Sequence, residues 1–138
     1  MSQIVTKHTG GMSFDTVVDG HTIKIDADPA FGGQDNGRKP KPLLLLSLSG
    51  CTGMDVISLM NKMRVEYADF EVKVDGELAE EHPKYYTKIH VTYSLKTKSE
   101  YHEKVKKAVN LSQERYCGVS YMLAKSSELT HEIDFQEL

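Results

Sequence analysis

Two cysteines are the residues of this 138-residue chain best suited to carry out chemistry. Cys51 stands in the most apolar stretch, LLLLSLSGCTGMDV at residues 43–56, and Cys117 lies far from it in the chain. A cysteine thiolate is a strong nucleophile that reacts with peroxides and disulfides. A cysteine in an apolar setting is, however, more often a small core residue. The sequence therefore leaves two roles open for the pair, a redox dithiol or two inert core residues.

The neighbours of the cysteines favour the redox role. Small residues flank Cys51 on both sides, which leaves room for access and supplies weak hydrogen-bond donors. Cys117 lies near the N-terminal end of a predicted helix, where the helix dipole favours a negatively charged side chain. Asp55 follows Cys51 by one helical turn, and a facing carboxylate would raise the pKa of the thiol unless a cation intervened. The alternative for Asp55 is an ion pair or a polar contact near the middle of the helix.

Other catalytic and metal-binding motifs are absent from the sequence. The stretch FGGQDNG at residues 31–37 has neither the spacing nor the lysine of a phosphate-binding loop. SLSGC at residues 47–51 is not the Gly-x-Ser-x-Gly motif of serine hydrolases. No Cys-x-x-Cys or paired helical histidine motif is present, so we expect neither a zinc site nor a cofactor. The histidines are scattered: His8, His21, His82, His90, His102 and His131.

Composition predicts one globular domain, residues 1–138, that binds neither nucleic acid nor membrane. Hydrophobic residues make up 39% of the chain, charged residues 27%, and the formal net charge is −3. The start, MSQIVTKHTGG, lacks the pattern of a signal peptide. Serines, glycines and a threonine interrupt the apolar run, which is also shorter than the roughly 20 residues of a spanning helix. We therefore expect a cytoplasmic protein with reduced cysteines.

Cys51 should lie on a long central helix over residues 43–64. The helix is apolar on most faces, which is typical of a helix that is packed on more than one side. Gly50 and Gly53 each cost roughly 1 kcal/mol inside a helix relative to alanine, so we expect them to permit a close helix crossing beside Cys51.

The remaining elements complete an α+β pattern. Thr97 and Glu100 have the spacing of a capping box that opens a helix to about residue 113, and Ser112 could cap a second helix to about Lys125. The predicted strands lie within residues 3–27, over 70–78 and 84–95 as an antiparallel pair, and over 129–135, and a loop occupies 28–42.

Three segments resemble the OsmC family of thiol peroxidases. They are KPLLLLSLSGCTGMDVISLMNKMR, HPKYYTKIHVTYSL and ERYCGVSYMLAKSSELTHEI, and the likeness runs from Thr22 onward. The resemblance implies an OsmC-like α+β fold, with antiparallel sheets around two central helices in an intertwined homodimer. It also implies that Cys51 attacks an organic hydroperoxide to form a sulfenic acid, that Cys117 resolves it as a disulfide, and that a dithiol reductant closes the cycle. An apolar wall of Leu44, Leu48, Met54 and Ile57 would suit an organic peroxide.

The chain departs from the peroxidases of this family at two positions. Those members carry an early arginine that holds the thiolate and a glutamate at the start of the cysteine helix. Here no arginine precedes Arg38, and the helix start reads Lys41-Pro42-Leu43. Arg38 is therefore the candidate third catalytic residue, with Lys41 or a merely solvated Arg38 as the alternatives. A second function also stays open, that of an OsmC-like dimer that binds a small molecule without peroxidase turnover.

Overall fold

A computed structural model describes all 138 residues as two compact units, Met1–Leu44 and Leu45–Leu138. The predicted order of elements, strands, long helix, strands, helices and strand, is confirmed. The prediction of a single domain over 1–138 stays a prediction. The elements are β1 Thr6–Gly10, β2 Ser13–Val18, β3 His21–Ile25, α1 Pro42–Lys62, β4 Tyr67–Leu78, β5 Tyr86–Thr97, α2 His102–Leu111, α3 Gly118–Leu123 and β6 Glu128–Gln136.

The first unit is an antiparallel meander, β1-β2-β3, followed by an ordered loop. Asp26, which is 2% exposed, organises this loop. Its carboxylate accepts backbone N–H groups from Ala27, Gln34 and Asn36 at 2.8–3.1 Å. The bonds from Gln34 and Asn36 are the main cause of a lowered pKa for Asp26. The loop is thus built around a buried carboxylate that sequence inspection did not single out.

The second unit packs a three-stranded sheet, β4-β5-β6, with α1 and α2. β4 and β5 are antiparallel, as predicted, whereas β6 runs parallel to β5. Parallel pairing needs a long crossover connection, and the segment that contains α2 and α3 supplies it. Fully buried side chains from both helices and from β5 form the core: Leu48, Val56, Met60, Ile89, Val91, Tyr93, Leu95, Val105, Ala108 and Val109.

Two predicted helix caps are wrong. The Thr97 hydroxyl donates to the Glu66 carbonyl at 2.6 Å, and a short 3₁₀ turn at Ser99–Tyr101 precedes α2 with no side-chain cap. The Ser112 hydroxyl is engaged elsewhere in the core, and Ser112 opens a π-helical turn, Ser112–Tyr116, between α2 and α3. In both cases a tertiary partner takes the hydroxyl that local sequence assigned to a cap.

The glycines of α1 do not meet a second helix within the chain. A Cβ at Gly53 would touch Val72 of β4 at 3.4 Å, and a Cβ at Gly50 would meet nothing within 4 Å. The expected helix crossing at these glycines is therefore replaced by close packing on a strand at Gly53 and by open space at Gly50.

α1 is also long and apolar enough to cross a membrane, judged by length and composition. The central helix of a soluble protein passes the same test, and α1 supplies three side chains to the core of the second unit. The length of α1 therefore does not distinguish a membrane-spanning helix from a core helix.

Candidate active site

The fold brings both cysteines and Asp55 together. The two sulfur atoms and an Asp55 carboxylate oxygen lie within 4.8 Å of one another, and both thiols are free. Cys51 and Asp55 share one face of α1, because they are four residues apart. Cys117 follows the π-helical turn, which returns the chain towards α1. The two sulfurs are therefore close but unbonded.

Cys117 is the more buried of the two thiols. It is 3% exposed, whereas Cys51 is partly accessible. Cys117 is the N-cap residue of α3, and its sulfur accepts the N–H of Ser120 at 3.3 Å. Cys51 is therefore the thiol that an entering substrate meets more easily.

The surroundings of Cys51 disfavour its thiolate. Burial raises the pKa of Cys51 above the ordinary thiol value of 9.0, and the hydrogen bond with Cys117 adds to that effect. A backbone N–H bond from Val119 acts in the opposite direction, and the negative charge of Asp55 raises the pKa further. The predicted effect of Asp55 on the thiol is confirmed, and no cation contributes to the shift. The site holds two thiols and a carboxylate without a positive partner of its own.

A buried chain of hydrogen bonds fixes Asp55. Ser112 Oγ donates to Asp55 Oδ2 at 3.0 Å, and Thr52 Oγ1 lies 2.7 Å from Ser112 Oγ. Tyr93 Oη lies 2.6 Å from Thr52, and Gln113 Nε2 donates to Tyr93 at 2.5 Å. Each hydroxyl has one proton to give. Because Ser112 donates its only hydroxyl proton to Asp55, Ser112 must accept from Thr52. Thr52 must in turn accept from Tyr93.

Every donor in this relay therefore points towards Asp55. The relay runs Gln113, Tyr93, Thr52, Ser112, Asp55, and it ends on the carboxylate beside the thiols. Sequence reasoning missed four of these five residues. The available signal was the presence of a threonine in the apolar helix next to Cys51 and a serine directly after the apolar face of α2.

Replacing Thr52 by valine should lower the free energy of unfolding by about 1–3 kcal/mol. The change keeps the shape but removes the hydroxyl that joins Ser112 to Tyr93, and Thr52 is fully buried. Urea unfolding measures the loss. Thr22→Val, at an exposed position of β3, is the matched control and should be near neutral. Equal stability of the two variants would show that the hydrogen bonds of the relay add nothing to the free energy of unfolding.

The predicted apolar wall forms only in part. Leu48 is fully buried in the core and cannot line an open site. Met54 and Ile57 instead join Gly50, Gly53 and Phe70 along a wide groove of about 580 Å³ on the surface of the second unit. Helical periodicity explains the difference, because positions 48 and 54 lie on different faces of α1.

Arg38 belongs to the first unit, where its backbone pairs with β3. Its N–H donates to the Lys24 carbonyl at 2.8 Å, and its own carbonyl accepts from Asp26 at 3.0 Å. Its side chain is exposed. Its catalytic role stays a prediction.

Sequence spacing indicated no metal site, yet the two sulfurs and the carboxylate oxygen lie close enough to hold a metal ion. These three atoms come from distant parts of the chain, which local spacing motifs cannot detect. Three protein ligands leave a fourth position open in the tetrahedral geometry that zinc prefers.

A family model described as OsmC-like protein matches residues 33–132, which include both cysteines and Asp55. The chain belongs to the OsmC-like family. The chain is also similar to protein YhfA of Escherichia coli, at 34% identity over 112 residues, or 81% of each protein. The resemblance first carried by the cysteine motifs is thus confirmed.

Solved structures agree with the OsmC-like fold. A hypothetical protein from Aquifex aeolicus superposes with a TM-score of 0.81 at 26% identity, over 99% of this chain and 98% of that one. The organic hydroperoxide resistance protein OhrB of Bacillus subtilis superposes with a TM-score of 0.61 at 20% identity, over 96% and 98% of the two chains. The α+β OsmC-like fold is therefore confirmed, and the second of these comparisons supports the fold alone.

Proposed function

We propose that this OsmC-like protein reduces organic hydroperoxides with Cys51 as the attacking thiol and Cys117 as the resolving thiol. One observation carries the proposal: two free thiols, distant in sequence, lie within 4.8 Å of each other and of a carboxylate. The name of the Bacillus subtilis neighbour, an organic hydroperoxide resistance protein, agrees with this chemistry.

The proposed oxidation takes two steps. The Cys51 thiolate attacks the terminal oxygen of the peroxide, the O–O bond breaks, and Cys51 sulfenic acid forms with release of an alcohol. Cys117 then attacks the sulfenic sulfur, which forms the Cys51–Cys117 disulfide and releases water. A dithiol reduces the disulfide, so the sum is peroxide plus dithiol giving alcohol, water and oxidised dithiol. No cofactor or metal takes part.

Asp55 is the proposed proton carrier of the first step. Its carboxylate lies within 4.8 Å of the Cys51 sulfur, a separation that one bridging water can span, so that Asp55 can take up the thiol proton and return it to the departing alkoxide. The relay supports this role, because Ser112, which the other three donors hold in position, binds the carboxylate beside the thiols. Asp55 would thereby replace the glutamate that other family members carry and that this chain lacks.

The test is peroxide consumption with cumene hydroperoxide and dithiothreitol, in which wild type is compared with Cys51→Ser. Wild type should turn over, and Cys51→Ser should fall to the uncatalysed rate. A brief peroxide pulse with a sulfenic-acid trap should label Cys51. Equal rates for the two proteins, or labelling of Cys117 alone, would contradict the assignment.

The second candidate function is a dimeric binding protein without turnover. The raised pKa of Cys51 favours it, because little thiolate is available at neutral pH. The same assay separates the two functions, since a binding protein would consume no peroxide.

Arg38 is the proposed activating cation, and Arg38→Ala should shift the pH profile of Cys51 oxidation to higher pH. A nearby cation favours the thiolate, so its loss raises the pKa and slows the reaction at neutral pH by about tenfold per pKa unit. Lys41→Ala tests the alternative cation, and Lys7→Ala, an exposed lysine of β1, is the control. Superimposable profiles for Arg38→Ala and wild type would show that the loop arginine is only solvated.

The protein is also proposed to form a C2 homodimer in the cytoplasm. α1 exposes large apolar side chains, with Leu46 63% and Met54 74% accessible in the single chain. A second copy would cover them in a large apolar interface. Light scattering at micromolar concentration should give twice the chain mass of 15.5 kDa. A monomer mass would contradict the dimer.

A further inference from the structure

A separate cavity of about 240 Å³ reaches Cys117 from a side that does not include Cys51. It lies between the π-helical turn, α3 and the start of β6, and its lining includes Cys117, Ser120, Arg115 and Lys125. Cys51 is not part of the lining. A small molecule in this cavity would therefore contact the second cysteine alone.

Ser120 provides an independent sign that a ligand belongs there. The residue is 1% exposed, and its hydroxyl is the one buried side-chain polar atom without a hydrogen-bond partner. Its backbone N–H already donates to the Cys117 sulfur. Buried polar groups nearly always have hydrogen-bond partners. An unpaired hydroxyl beside a cavity therefore indicates that a polar group from outside the chain binds there.

The charges around the cavity favour an anion. Arg115 and Lys125 lie over the rings of Tyr116 and Tyr121, at 5.5 and 4.6 Å from the ring centres. Glu114 is the single acidic residue of the lining. Two cations, each held against an aromatic ring, therefore outnumber one carboxylate.

We propose that this cavity is the docking site for the dithiol that reduces the Cys51–Cys117 disulfide, and that it selects a small dithiol bearing a carboxylate or a similar anionic group. The inference rests on the proposed function. One thiolate of the reductant attacks Cys117 Sγ, the S–S bond breaks, and Cys51 leaves with the electron pair and takes up a proton. The second thiol then attacks the reductant's own sulfur in the mixed disulfide. This step frees Cys117 and completes the oxidised dithiol.

Cys117 and not Cys51 lines this cavity, so a dithiol held in the cavity presents its thiolate to the Cys117 sulfur. The leaving sulfur is then Cys51.

The first test measures reduction alone. The disulfide is prepared with diamide, and its reduction is timed with dimercaptosuccinate, which carries two carboxylates, and with uncharged dithiothreitol. Arg115→Glu/Lys125→Glu should slow reduction by dimercaptosuccinate by about tenfold or more, and change the dithiothreitol rate by less than about twofold. Lys84→Glu/Lys107→Glu alters net charge equally at exposed sites outside the cavity and is the control. An unchanged rate in the first variant, or equal slowing in both, would overturn the proposal.

The second test uses the wild-type chain. The disulfide form is treated with 2-mercaptoethanesulfonate in the presence of iodoacetamide, and the products are mapped by mass spectrometry. The sulfonate adduct should lie on Cys117 and the alkyl group on Cys51, and the reverse pattern would overturn the proposal. Both tests begin from a chemically made disulfide. A failure of peroxide to oxidise the protein would therefore count against the proposed function and leave the docking site to be decided separately.

Discussion

Replacing Cys117 by serine should abolish disulfide formation and leave the first oxidation of Cys51 intact. One equivalent of cumene hydroperoxide should give the Cys51–Cys117 disulfide in wild type, whereas excess peroxide should drive Cys51 of the variant to sulfinic acid. Turnover should fall on the order of a hundredfold or more, because a neighbouring thiol has a far higher effective concentration than a dithiol in solution. The cause is the proximity of the two sulfurs, within 4.8 Å.

Non-reducing peptide mapping measures the products, and peroxide consumption measures turnover. Cys51→Ser is the reference for complete loss, because it removes the attacking thiol. If wild type also accumulated sulfinic Cys51 and behaved like Cys117→Ser, Cys117 would be an inert core residue. That result would favour the alternative function, a dimeric binding protein without turnover.

Oxidation of Cys51 should accelerate about a hundredfold between pH 7 and pH 9. Burial is the main cause that raises the pKa of Cys51 above 9.0, followed by the hydrogen bond with Cys117. Only the thiolate attacks peroxide, and below the pKa its fraction grows tenfold with each pH unit. The reaction is therefore slow at neutral pH and fast in alkali.

Single-turnover oxidation under excess peroxide, followed by alkylation of the remaining thiol, gives the rate at each pH. Cys117→Ser separates the first step from disulfide formation and should show the same alkaline rise, displaced towards lower pH. The displacement follows because Cys117 contributes two of the causes that raise the pKa. A rate that is flat between pH 6 and pH 9 would contradict the raised pKa of Cys51.

The sequence predicted the helices and strands well where the local periodicity and composition of the residues determine them. The long helix of α1 was expected over 43–64 and lies at Pro42–Lys62, and the antiparallel pairing of β4 with β5 follows from alternating side chains. The helix caps failed for a physical reason. A hydroxyl such as that of Thr97 can bond equally well to a nearby backbone group or to a distant carbonyl, and only packing decides between them.

The parallel pairing of β6 with β5 also depended on tertiary structure. Strand periodicity is the same for parallel and antiparallel neighbours, so the sequence of residues 128–136 carries no sign of direction. The crossover through α2 and α3 fixes that direction, and with it the position of the π-helical turn that carries Ser112.

At the candidate site, the sequence by itself determined the two thiols, the adjacent carboxylate and the family, because these depend on residue types and short motifs. Only the tertiary structure decided that Cys51 and Cys117 meet, that the relay from Gln113 ends on Asp55, and that a second cavity reaches Cys117. Each of these features joins segments far apart in the chain. Their distances are set by the packing of α1 against the core and by the turn after α2, which no local pattern encodes.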